Sequence, residues 1–150
     1  MRVRRLPWLV LLLSTLFVVR PLPAQVPDVE EPLETFVQEI VRLWEAADVQ
    51  ALVDLIAEED QIILDTGTGI ENANSRHAAA ALRALFAESE TVGARAVRVT
   101  LASTTPPRGF GEVAWTFRTR GAPLEQSRSI YVAAARQDAG WRITELRLMP

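Results

Sequence analysis

Few side chains in this sequence could move a proton or attack an electrophile. There is one histidine, His77, and one tyrosine, Tyr131, with no cysteine at all. Proton transfer to or from carbon needs a base and a donor that holds the developing oxyanion. Asp65 is the best candidate base, because it ends the apolar run Gln61–Leu64. The Thr66-Gly67-Thr68-Gly69 that follows is turn chemistry, and an aspartate ahead of a turn also serves to hydrogen-bond its own backbone. His77 falls in the first turn of a helix, away from that helix's apolar stripe, and reads as solvated. Tyr131 has the opposite parity to Ile130 and Val132, which places it on an outer sheet face or at an interface. No His-Asp pair emerges, so no catalytic residue is assigned beyond Asp65 as a weak candidate. The absence of cysteine excludes a thiolate zinc site, a disulfide framework and an N-terminal lipidated cysteine. No cofactor or metal is expected.

The elements that would position these residues follow from periodicity. Around Asn74 to Glu88 a capping Asn or Ser precedes an alanine run, and Ala78, Leu82, Leu85 and Phe86 fall on one stripe, which predicts a helix. Upstream, Leu33, Phe36, Val37, Ile40, Val41, Trp44 and Ala47 predict an amphipathic helix starting near Pro32. Asp48 can cap a shorter helix that buries Leu52, Leu55 and Ile56, and Glu58-Glu59-Asp60 closes it with a solvated connection. Downstream, four strands are expected at Ala94–Ser103, Phe110–Arg120, Ser127–Gln137 and Gly140–Met149. Short turns join the later ones, so they should form an antiparallel meander. Alternation assigns Val97, Val99 and Leu101, then Val113, Trp115 and Phe117, then Ile130, Val132 and Ala134 to the buried face. In the last strand Trp141 and Ile143 have one parity and Leu146 and Leu148 the other, which predicts a bulge at Thr144 or Glu145.

Two surfaces follow from these assignments. Trp44, Leu82, Phe86, Trp115 and Phe117 lie between helices and sheet, where they either line an apolar ligand pocket or fill it. Arg98, Arg118, Arg128 and Arg142, with Tyr131, are expected on the open sheet face as a possible interface.

Residues 1–24 read as a secretory signal peptide. Arg2, Arg4 and Arg5 precede the apolar run Trp8 to Val19, which is too short to span a bilayer, and Pro21-Leu22-Pro23-Ala24 suits cleavage before Gln25. Residues 25–31 are a linker and 32–150 one domain, expected in the periplasm or outside the cell with no stable membrane anchor once cleaved. Cleavage removes four arginines and no acid, leaving a formal charge of 12 minus 19, or −7, which argues against a nucleic-acid partner. Residues 25–65 hold most of that acidity. The chain uses Arg throughout and no Lys, a matter of composition rather than function.

Helices, a short strand, another helix and a long curved meander, from Leu33 to Met149, resemble the order of the nuclear transport factor 2-like (NTF2-like) fold, the SnoaL/ketosteroid isomerase-like superfamily. Asn74-Ser75-Arg76 leading into Leu82-Arg83-Ala84-Leu85-Phe86, with the closing Trp141-Arg142-Ile143-Thr144-Glu145-Leu146-Arg147-Leu148, is similar to small exported bacterial members of unknown function. The resemblance implies an α+β cone, with N-terminal helices packed on a curved antiparallel sheet. It further implies a homodimer formed through the sheet face, and the missing His-Asp dyad favours, within that fold, non-catalytic binding of a small apolar ligand or a protein partner. The alternative it carries is a cone-pocket isomerase, cyclase or hydrolase using Asp65. A remoter one is that Asp65-Thr66-Gly67 resembles the Asp-Thr-Gly loop of aspartic proteases; those are nearly all β, whereas this chain is helical over 33–57 and 74–88.

Overall fold

The computed structural model describes residues 30–57 and 61–150. The expected signal peptide, most of the expected linker, and Glu58-Glu59-Asp60 lie outside the described residues. Helices α1 (Glu30–Glu45) and α2 (Val49–Asp54) come first, then strands β1 (Ile62–Asp65) and β2 (Glu71–Ala73), and helix α3 (Ser75–Glu88). Strands β3 (Ser89–Thr104), β4 (Pro107–Thr119), β5 (Glu125–Gln137) and β6 (Gly140–Met149) complete the chain. One six-stranded sheet results, in the order β2-β1-β6-β5-β4-β3, antiparallel except where β1 runs parallel to β6. This is the expected α+β arrangement. β2, which pairs with β1 from Ile62↔Ala73 to Leu64↔Glu71, is absent from the set the sequence predicts.

Helix α1 buries Leu33, Val37, Ile40, Val41, Leu43 and Trp44, as its stripe requires. Ala47, expected to continue that stripe, does not. The helix stops at Glu45, and Ala47 takes a left-handed conformation (φ 51°) and is exposed. The N–H of Ala47 donates to the carbonyl of Trp44 (3.0 Å) and that of Asp48 to the carbonyl of Leu43 (3.0 Å), which is a Schellman ending with alanine where glycine is usual. Asp48 then caps α2 through the N–H of Ala51 (3.1 Å), and Asn74 caps α3 through the N–H of His77 (2.9 Å).

Strands β3, β4 and β5 are longer than predicted, whereas β6 has the expected bounds. Glycine and proline read as turn signals, yet Pro107 and Gly109 lie within β4, and at Gly109 the inner face needs a residue with no side chain. A Cβ on Gly109 would stand 2.4 Å from Leu33 Cδ2 and 2.7 Å from the carbonyl oxygen of Thr100. One on Gly111 would stand 2.8 Å from Val37 Cγ2. These two positions let α1 lie directly on the sheet.

Bulges set the curvature. In β6 the register jumps from Ala133↔Glu145 to Ala134↔Ile143, so Thr144 is the extra residue and both parity groups, Trp141/Ile143 and Leu146/Leu148, are buried as expected. β3 carries three shifts, at Thr91/Gly93, Ala96/Arg98 and Leu101/Ser103. The second corrects one expectation. Val97 is the extra residue and is 51% exposed, so it does not share the buried face with Val99 and Leu101; Ala94 and Ala96 precede the parity switch in its place.

Candidate interaction surface

The two faces of the sheet differ in kind. On the inner face, Trp44 from α1, Phe86 from α3, and Trp115 and Phe117 from β4 pack ring against ring. The centroid of Trp44 is 5.0 Å from Phe86 and 5.5 Å from Trp115, both edge to face, and Trp115 stacks on Phe117 at 4.1 Å. Trp44 and Trp115 are 0% exposed and Leu82, Phe86 and Phe117 are buried beside them. The Trp115 indole donates to Thr91 Oγ1 (3.0 Å). That of Trp44 is buried and has no acceptor among the described residues. None of these five side chains lines the groove between Leu33 and Val99, the one between Gly93 and Ser127 or the one between Gln50 and Ser75.

The candidate base is occupied with backbone. Asp65 Oδ1 accepts from the N–H of Gly67 (2.8 Å) and of Gly69 (3.4 Å), closing a loop in which both glycines have positive φ, 95° and 126°. In the parallel register with β6, Leu64 stands opposite buried Leu146 and Asp65 opposite Arg147, which puts Asp65 on the outer side of the sheet. His77 is exposed. Among the described residues no group of three or more His, Asp or Glu converges as metal ligands would.

The outer face is ordered row by row across the strands. One row runs Arg98, Glu112, Tyr131, Arg147, Asp65 over five strands, with Arg98 Nη2 3.3 Å from a Glu112 oxygen and the Arg147 guanidinium 5.7 Å from the centre of the Tyr131 ring. The next row runs Thr100, Phe110, Ala133, Glu145, Ile63, and Phe110 lies against Tyr131 with ring centroids 5.6 Å apart. Arg147 Nε sits 2.6 Å from Glu145 Oε1. Beyond Tyr131 in the other direction come the small rows Ala114–Ser129 and Thr116–Ser127. With Gly93 and Arg95 from β3 they floor a trough of about 230 Å³. Ile63 is 38% exposed and Met149, opposite Ser129, 40%. Phe110 and Tyr131, with Ala133 beside them, thus make an apolar ridge in a framework of paired charges.

Of the residues expected on this face, Arg98, Arg118, Tyr131 and Arg142 lie on it, with Arg118 bonded to Glu125 and Arg142 donating to the carbonyl of Trp141. Arg128 does not. It stands opposite Trp115 with the parity of Ile130, at the rim of the inner face, and its guanidinium rests against Gly67. The face is also less basic than its arginines suggest, because Glu112, Glu125 and Glu145 each pair with one of them. Phe110, Glu112 and Arg147 were not singled out from the sequence. Each has the strand parity of an outward residue, and that alternation was the available signal.

No protein-family model matches the sequence, and no curated protein matches it. Solved structures do. A ketosteroid isomerase-like protein from Erwinia carotovora atroseptica aligns with a TM-score of 0.65 at 11% identity, covering 83% of this chain and 96% of that one. An NTF-2 like protein of unknown function from Shewanella oneidensis gives 0.60 at 12%, covering 80% and 98%. A DUF4783 family protein from Bacteroides ovatus gives 0.58 at 13%, covering 73% and 90%. At such identities the likeness is one of fold.

Proposed function

We propose that this chain, which has an NTF2-like fold, is an exported, non-catalytic binding domain whose working surface is the outer face of the sheet, where it receives a protein partner. One observation carries the reading: aromatic side chains occupy the space between helices and sheet, while the opposite face presents the Phe110–Tyr131 ridge to solvent. A residue pair of that type, partly desolvated and framed by ion pairs, is the usual anchor of a protein interface. Export rests on residues 1–24 acting as a leader cleaved near Ala24/Gln25, and N-terminal sequencing of the mature protein checks it. Among the described residues no helix is long and apolar enough to cross a membrane.

The test is site-specific photo-cross-linking in the cells that make the protein. A cross-linker placed at Ala133, in the ridge, should capture a protein, whereas one at exposed Arg83 on α3 should not. Capture from Arg83 alone, or from neither, would overturn the reading.

A second reading is favoured by a separate observation. The buried Trp44 N–H has no acceptor among the described residues, and a small apolar ligand carrying a carbonyl or ether oxygen would supply one. Native mass spectrometry of the protein as purified would reveal such a ligand as an added mass.

A further inference from the structure

We infer that the partner on the outer face is an acidic segment of another protein, with a carboxylate at each end and apolar side chains between, lying diagonally over the Phe110–Tyr131 ridge. The inference rests on the outer face being the working surface, and adds the chemistry of what that surface receives.

Ion pairing within the face leaves a remainder of one sign. Arg98, Arg118 and Arg147 are matched to Glu112, Glu125 and Glu145. Of the other acids on this face, Asp65 is held by two backbone N–H groups, and Glu90 stands opposite Arg118 at the far end of β3. Arg95, Arg108 and Arg142 have no carboxylate within ion-pair distance among the described residues, and Arg142 spends only one N–H, on the carbonyl of Trp141. The helices, which hold much of the chain's acidity, lie on the opposite side of the sheet. At physiological salt, charges beyond about 8 Å are largely screened, so an approaching partner meets the face's own unmatched cations. A carboxylate is the group a guanidinium binds best, through two parallel N–H bonds.

The unmatched cations stand at two ends of the ridge. Arg95, on β3 in the Ala114–Ser129 row, walls the trough, whose floor holds the Thr116 and Ser127 hydroxyls 3.4 Å apart. A carboxylate entering there meets a guanidinium and two hydroxyls. At the other end Arg108 and Arg142 share a row with only the methyl of Ala135 between them. Their backbones are about 10 Å apart, so two long side chains flank a space open to a second carboxylate. Arg95 and Arg142 are separated by three strand spacings across the sheet and by the run from Ala114 to Arg108 along it. That is about 14 Å by about 20 Å, or ~25 Å corner to corner. The midpoint of this diagonal falls between β4 and β5 at the level of Phe110 and Tyr131. About eight residues of extended chain cover the distance. Such a segment sets its middle side chains against the two rings and its ends against arginine, an apolar centre with a charged rim.

The cross-linker at Ala133 tests this chemistry once the captured peptide is read by mass spectrometry. The peptide should come from another protein and carry Asp or Glu on both sides of apolar residues. In fluorescence anisotropy, a synthetic copy of that segment should bind the purified chain at least tenfold more tightly than the same peptide with its acids changed to Asn and Gln. It should bind the Arg95→Gln/Arg142→Gln double variant at least tenfold more weakly, with an unchanged circular dichroism spectrum, and Arg83→Gln on α3 as tightly as the unmodified chain. A neutral or basic captured segment, equal binding of the two peptides, or a folded double variant that binds like the unmodified chain would overturn the inference and leave the outer-face reading in place. So would a captured segment of this chain itself, which makes the partner a second copy. Capture of nothing from Ala133 removes both.

Discussion

The inner and outer faces of one sheet are built from alternate residues of the same strands and solve opposite problems. Inward, Val113, Trp115 and Phe117 are buried under helices, and two glycines bring α1 to within contact distance. Outward, their neighbours Glu112, Ala114 and Thr116 are half-buried by cross-strand neighbours alone. The inner face is therefore where stability resides, and the outer face is free to be specific. A two-residue period separates the two roles so sharply that a single register slip would exchange them.

Substitution can break this contrast at several levels. Trp115→Ala should have the largest effect, destabilising by about 3–5 kcal/mol through lost burial and the cavity left beside Trp44 and Phe117, read from chemical denaturation. Gly109→Ala comes next, at about 1–3 kcal/mol, because the new methyl meets backbone as well as Leu33 and α1 must shift. On the outer face Tyr131→Ser should change stability by less than about 1 kcal/mol while abolishing partner capture from Ala133. A loss of stability matching that of Trp115→Ala would mean the two faces are not functionally distinct. Asp65→Ala should cost about 1 kcal/mol through the two lost loop hydrogen bonds, and Asp65→Asn, which keeps an acceptor, should cost less. Ala47→Gly should act in the other direction, stabilising by about 1 kcal/mol, because glycine adopts the left-handed ending of α1 without steric penalty.

The smallest effect belongs to the helix surface. Arg42 donates to Glu39 from Nε (2.8 Å) and Nη2 (2.5 Å), and this hydrogen bond holds the Glu39 carboxyl below its ordinary range. A lowered carboxylate pKa adds stability above the unfolded value, and that stability is lost as the pH falls through the folded one. The pair is fully exposed, so the contribution is slight. Carbon-detected NMR titration should show Glu39 moving up to its ordinary midpoint in Arg42→Ala.

Much of this architecture could be read from residue order. The stripe in α1, the caps at Asp48 and Asn74 and the parity change in β6 each have a local cause, and each lies where the local signal puts it. Failures arose where tertiary packing overrode a local signal. Gly109 reads as a turn residue, but its reason is Leu33, some seventy positions away. Val97 alternates correctly in sequence and is turned outward by a bulge whose cause is the pairing with β4. The outer face is half legible: Arg98 and Tyr131 each have an outward parity, but that Glu112 and Arg147 join them in one row depends on strand register, which no single strand specifies. Arg128 is simpler: its own parity, shared with Ile130, already sets it at the inner rim.

The three register shifts in β3 have a consequence for how these molecules can accumulate. β3 is the open edge of the sheet, and sixteen residues of unpaired strand would ordinarily invite another strand to extend it indefinitely. With an extra residue at Val92, Val97 and Ala102, no regular stretch on that edge is longer than four residues. Strand addition along β3 would therefore meet an interruption after every four residues or fewer, which guards that edge against extension without a covering element.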